Sequence, residues 1–109
     1  MNGKKVYYKL NPLCTKDLTS SFGPHGFDVE ETTGGRYLIT PGQYKIPLSI
    51  SISEWFEVNR YSENAFYYIY SSQDNKGGIK IDREMWDWFS RYLIEANGEE
   101  TIALQFGLL

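Results

Sequence analysis

At 109 residues and a net charge of −3, the chain is the size of one domain, 1–109, and can bury a core without disulfides or metals. Its single cysteine, Cys14, excludes an internal disulfide and a four-cysteine zinc site, and a lone thiol suits a reducing compartment. The acidic balance weighs against nucleic acid as the main ligand, because phosphate neutralisation needs a basic surface.

In chain order, residues 6–10 (VYYKL) predict a first strand with Val6, Tyr8 and Leu10 on one face, ended by Asn11-Pro12. Residues 13–26 read as loop, rich in Ser, Thr, Gly and Pro. Residues 27–31 and 36–40 predict a hairpin around Thr33-Gly34-Gly35. After Pro41-Gly42 comes the clearest strand, in which Ile46, Leu48, Ile50 and Ile52 alternate with Pro47 and serines. Residues 53–60 fit either a continued strand or a short helix capped by Ser53. A turn at 62–64 precedes an aromatic strand, 65–72, joined by a hairpin loop over 73–77 to a short strand at 78–82.

Residues 82–97 predict one long amphipathic helix. Met85, Trp86, Trp88, Phe89, Tyr92, Leu93 and Ala96 fall on one side at 100° per residue. Asp82 reads as the N-cap, Glu84 suits the positive end of the helix dipole, and Asn97-Gly98 reads as the stop. Ile94 is the one apolar residue on the polar side, in a strip with Asp87, Ser90 and Arg91. Residues 101–106 predict a closing strand with Ile102, Leu104 and Phe106 on one face. The whole reads as an α+β domain: a mainly antiparallel, twisted sheet of about six strands with this helix on one face, or a mixed sheet if the helix is a crossover.

Motifs for chemistry are sparse. His25 is the sole histidine and sits in a GPHG turn, so no multi-histidine metal site forms, and a Cys14–His25 dyad is the only nucleophile–base pair at hand. Glu30-Glu31, Glu54 with Glu57, and Glu99-Glu100 read as solvated charges rather than a paired acid and base. Gly34-Gly35 and Gly77-Gly78 lack phosphate-loop spacing. No catalytic residue, metal or cofactor is therefore expected.

What stands out is the aromatic content: nine Tyr, six Phe and three Trp. Tyrosine favours strands but also recognition surfaces. On the strand at 65–72, Phe66, Tyr68 and Tyr70 share one face, opposite Tyr67 and Ile69. With one face under the helix, the other presents rings that can anchor a protein or stack bases or sugars. The alternative is that residues 13–26 cover it.

These features point to a non-enzymatic protein-binding module, an inhibitor or immunity-type protein that blocks a larger partner. An acidic, aromatic surface would suit the basic cleft of a nucleic-acid-processing partner. Tyr68 and Tyr70, or the strip of Asp87, Arg91 and Ile94, would touch that partner or a second copy of the chain. The competing readings are a single-stranded nucleic-acid or carbohydrate binder, and a small enzyme using Cys14 and His25. Size, acidity and aromatic content match many small bacterial and phage binding proteins, an analogy of type without a motif. The first residues lack a signal-peptide core, and the run at 65–70 is too short to cross a bilayer, so a cytoplasmic protein is expected.

Overall fold

The computed structural model describes residues 3–42, 45–61, 65–72 and 77–108. The expected turn at 62–64 and residues 73–76 of the expected hairpin loop lie outside them. In chain order the elements are β1 (Gly3–Leu10), α1 (Thr15–Ser20), β2 (Asp28–Thr33), β3 (Arg36–Thr40), β4 (Leu48–Ser51), β5 (Phe56–Tyr61), β6 (Tyr67–Tyr70), β7 (Ile79–Ile81), α2 (Arg83–Phe89), β8 (Leu93–Glu95) and α3 (Gly98–Gln105). Instead of one sheet of about six strands there are two sheets, β7-β6-β5-β1-β8 and β2-β3-β4. Every pairing in both is antiparallel, so the mixed-sheet alternative falls away.

Period-two patterning explains the layers. Leu48 and Ile50 of β4, Phe56 and Val58 of β5, and Tyr67 and Ile69 of β6 are all buried, while the residues between them are not. One continuous core joins these side chains to Val29, Ile39 and the apolar side of α2. The β2–β3 hairpin turns as expected at Gly34-Gly35, where Gly35 has φ +81°. The expected strand at 46–52 shortens to Leu48–Ser51, leaving Ile46 exposed.

The single helix over 82–97 does not form. Asp82 does cap α2, its carboxylate accepting from the Met85 amide at 2.8 Å. Met85, Trp86 and Phe89 are buried as their spacing requires. After Phe89, however, the chain tightens into a 3₁₀ turn over Ser90–Tyr92 and then extends as β8. Tyr92, Leu93 and Ile94 are aromatic, γ-branched and β-branched residues that lie well in a sheet. The edge of β1 also offers them a ladder: Leu10 faces Leu93, Lys9 faces Ile94 and Tyr8 faces Glu95. The Asn11 amide donates to the Tyr92 carbonyl at 2.9 Å, and the Ala96 amide to the Tyr7 carbonyl at 2.9 Å.

Asn97 is a start signal rather than a stop. Its side chain accepts from the Glu100 amide at 2.8 Å, and the Glu100 carboxylate accepts from the Asn97 amide at 2.9 Å. This capping box opens α3, so the strand expected at 101–106 is helical. The segment 13–26, expected as loop, contains α1 and a 3₁₀ turn over Pro24–Gly26. Leu18 anchors α1 in the core, and the hydroxyls of Thr19 and Ser20 fold back onto the carbonyls of Thr15 and Lys16. That segment packs on β2 and α2.

Two backbone features stand out. His25 has φ +57°, the one non-glycine in the left-handed region among the described residues. Gly78, with φ +83° just before β7, lies so close to the Ile69 carbonyl and the Tyr70 ring that a Cβ there would collide with both.

Candidate binding surface

The five-stranded sheet has two different faces. Inward, Trp86 of α2 stacks on Tyr67 with ring centroids 5.1 Å apart and 15° between planes, and meets the edge of Tyr8 at 5.1 Å. Phe89 packs on Phe56 and Phe27. All of these α2 rings contact inner-face or neighbouring core residues, and none reaches the far side of the sheet.

The outer face is a grid read from the strand registers. Ile94, Lys9 and Trp55 form one row, with the Lys9 ammonium 4.7 Å from the centroid of Trp55. The next row is Tyr7, Glu57 and Tyr70. The third is Lys5, Asn59, Tyr68 and Lys80. Tyr61 packs edge-on against Tyr68 at 5.5 Å, and Lys80 lies 4.5 Å from the centroid of Phe66. Glu57 sits near the centre, 3.7 Å from the Lys5 ammonium and accepting from the Asn59 amide at 2.7 Å. A groove of about 180 Å³ runs between Tyr7, Trp55, Glu57 and Tyr70 and ends at Ser71 and Ser72.

The tyrosines here, Tyr7, Tyr61, Tyr68 and Tyr70, are half-buried. Partial burial, then the neighbouring Tyr61, Glu57 and Tyr68, pushes the Tyr70 phenol above its ordinary pKa, so it remains a hydrogen-bond donor across the neutral range.

The expected contact residues separate. Tyr68 and Tyr70 lie on this face, with Tyr67 and Ile69 turned inward as the alternation requires. Ile94 joins them, because it is in β8 beside Lys9 rather than on a helix. Asp87 remains on α2, 3.8 Å from Arg83, and Arg91 falls in the following 3₁₀ turn. Ile94 therefore leaves the strip expected with Asp87, Ser90 and Arg91, which stay on α2 and its 3₁₀ turn. Tyr7, Trp55 and Tyr61 belong to the surface and were missed. The alternation of Lys5, Tyr7 and Lys9 against Val6, Tyr8 and Leu10 was the signal for the first of these. Trp55 was hidden by the ambiguity of 53–60, and Tyr61 lay between that segment and the expected turn, where β5 in fact ends.

The charge pattern also differs from expectation. Among the described residues, Lys5, Lys9 and Lys80 outnumber Glu57 on the aromatic face. The acids gather elsewhere, as Glu30 and Glu31 on β2, Glu84 and Asp87 on α2, and Glu99 and Glu100 on α3.

The remaining candidates for chemistry are apart from this face. Cys14 sits half-buried just before α1, without a capping hydrogen bond from its side chain. His25 is exposed, its Nε2 3.2 Å from a Glu84 carboxylate oxygen and 3.9 Å from one of Asp82. Among the described residues, no three His, Cys, Asp or Glu side chains gather as metal ligands, and no helix is long and apolar enough to cross a membrane.

No protein-family model matches the chain, and neither a curated protein nor a solved structure is significantly similar to it.

Proposed function

We propose that the chain is a non-enzymatic binding module that docks a protein partner on the outer face of its five-stranded sheet and blocks that partner, as an inhibitor or immunity-type protein does. The observation that supports this is the row structure of the face. Tyr7, Tyr61, Tyr68 and Tyr70 lie on the sheet with Trp55 just before β5, all half-buried, and among the described residues no helix ring packs on them. Large, pre-ordered aromatic surfaces with few rotamers to freeze are what protein interfaces use as anchors. The local excess of Lys5, Lys9 and Lys80 favours an acidic patch on the partner, in place of the basic cleft that the overall charge suggests.

The test is a photocrosslinking amino acid placed at Tyr68 and, on the far side of the sheet, at Arg91. A discrete protein product from position 68, absent from 91 and lost on Lys9→Glu, supports the reading. A product from 91 alone sinks it.

The same three lysines favour a second reading, single-stranded nucleic acid stacked on the rings. An oligonucleotide would then bind with a log–log salt slope of about −2, the value for three phosphate contacts on a single strand. A protein interface would give no oligonucleotide binding at moderate salt.

A further inference from the structure

A second concavity lies on the opposite, inner side of the same sheet and owes nothing to the docking face. The sheet row Lys4, Arg60, Tyr67 runs across β1, β5 and β6. Beside it, Val6 and Val58 form the next row. Together with Tyr8 and Trp86 these residues line a half-open cavity of about 160 Å³. Its walls are three rings, Tyr8, Tyr67 and Trp86, already fixed against one another. Its rim carries two cations.

The cations are the informative part. Lys4 and Arg60 are direct cross-strand partners in an antiparallel pair. Like charges in that relationship repel and weaken the sheet. The described residues supply neither with an ion pair. Arg60 is held instead with its guanidinium carbon 5.3 Å from the centroid of Tyr67. Threonine or valine at either position would serve the sheet better. Glu95 accepts from the Tyr8 hydroxyl at 3.4 Å, on the side of Tyr8 where β8 pairs. Tyr8 therefore presents its ring rather than its hydroxyl to the cavity.

We propose that this cavity binds a small aromatic anion: a single ring seated among Tyr8, Tyr67 and Trp86, with a carboxylate or phosphate group between Lys4 and Arg60. The volume sets the size of the apolar part, since a cavity of about 150 Å³ elsewhere admits one benzene ring. The guanidinium, ordered on Tyr67, offers its fork to two oxygens of the anion, and Lys4 adds a point charge. Binding also relieves the repulsion between the two cations.

The test uses the full chain, titrated with phenyl phosphate and with benzoate while the indole NMR signal of Trp86 is followed. Inorganic phosphate and phenol serve as the two half-ligands. One or both whole ligands should shift Trp86 and bind at least about tenfold more tightly than either half. Whichever of phenyl phosphate and benzoate binds more tightly identifies the anionic group. Lys4→Gln and Arg60→Gln should each weaken binding roughly tenfold. Both variants should melt no lower than the parent, because the repulsion is gone. Arg60→Lys should keep part of the affinity, and Lys80→Gln, on the other face, all of it. No shift of Trp86 with either whole ligand overturns the proposal, as does unchanged affinity in both glutamine variants. Inorganic phosphate binding as tightly as phenyl phosphate would remove the role of the rings and overturn it too. Loss of the Tyr68 crosslink would leave this site standing.

Discussion

Ser71 donates its hydroxyl hydrogen bond to the buried carboxylate of Glu54. The other oxygen of Glu54 accepts from the Ser51 amide at 3.1 Å. One carboxylate thus ties the end of β4, in the small sheet, to the end of β6, in the large one. Hydrogen bonds to a charged group contribute about 1.5–3 kcal/mol each. Glu54→Ala is expected to destabilise by about 2–4 kcal/mol in urea melts, and Glu54→Gln, which keeps an acceptor, by less. Equal losses in the two variants would mean that packing, not hydrogen bonding, holds this junction.

Phe89 is fully buried between Phe27 and Phe56. Phe89→Ala should cost about 3–5 kcal/mol, the range for truncating a buried aromatic. Arg91 is exposed in the turn that follows, and Arg91→Ala should change stability by about 0.5 kcal/mol or less. Chemical denaturation of the two variants side by side checks the pair.

Asn97→Ala distinguishes a helix start from a helix stop. Loss of the capping box should weaken α3 by about 1 kcal/mol. Hydrogen exchange should then quicken over 98–105 and stay unchanged over 83–89. Because α3 fully buries none of its side chains, the global melting temperature should move little. Faster exchange in α2 would point instead to one continuous helix.

Tyr8 gives a pH signature. Burial first, then the Glu95 charge and hydrogen bond, push its phenol up from 10 to about 12. Its folded pKa is raised, so the stabilising contribution is complete below pH 10. It is lost as pH climbs towards about 12, because the unfolded chain releases this proton first. With the ring half-exposed, solvent screening limits the effect to about 1 kcal/mol. Tyr8→Phe should flatten that part of the stability–pH curve, measured by urea titration on either side of pH 10. An unchanged slope would assign the alkaline loss to other tyrosines.

The parts legible in the sequence were those where one periodicity ruled. Leu48 and Ile50, Tyr67 and Ile69, and Met85, Trp86 and Phe89 all point where their spacing says. The misreadings came where two structures satisfy one pattern. Leu93 continues the wheel of α2, yet it also fits β8, and the open edge of β1 decided between them. Asn97 stops helices and starts them, and Glu100 three residues on was the overlooked discriminator. Ile94 reached the aromatic face only through that strand pairing, which no local pattern records.

Three of the four residues of β6 are tyrosine. Its inward position, Tyr67, and its outward positions, Tyr68 and Tyr70, carry the same side chain. Hydrophobic patterning normally penalises a one-residue slip, because a slip exchanges the faces of a strand. Here a slip in either direction leaves tyrosine on tyrosine at one site of the strand and forces a tyrosine into the buried seat of Ile69. The glycine that cannot hold a Cβ adds a second instruction. With Gly78 pressed against the Ile69 carbonyl and the Tyr70 ring, the strand has one seat that fits. A side chain there would collide with β6 in this register, and a strand slipped to relieve the collision would turn Tyr67 away from Trp86.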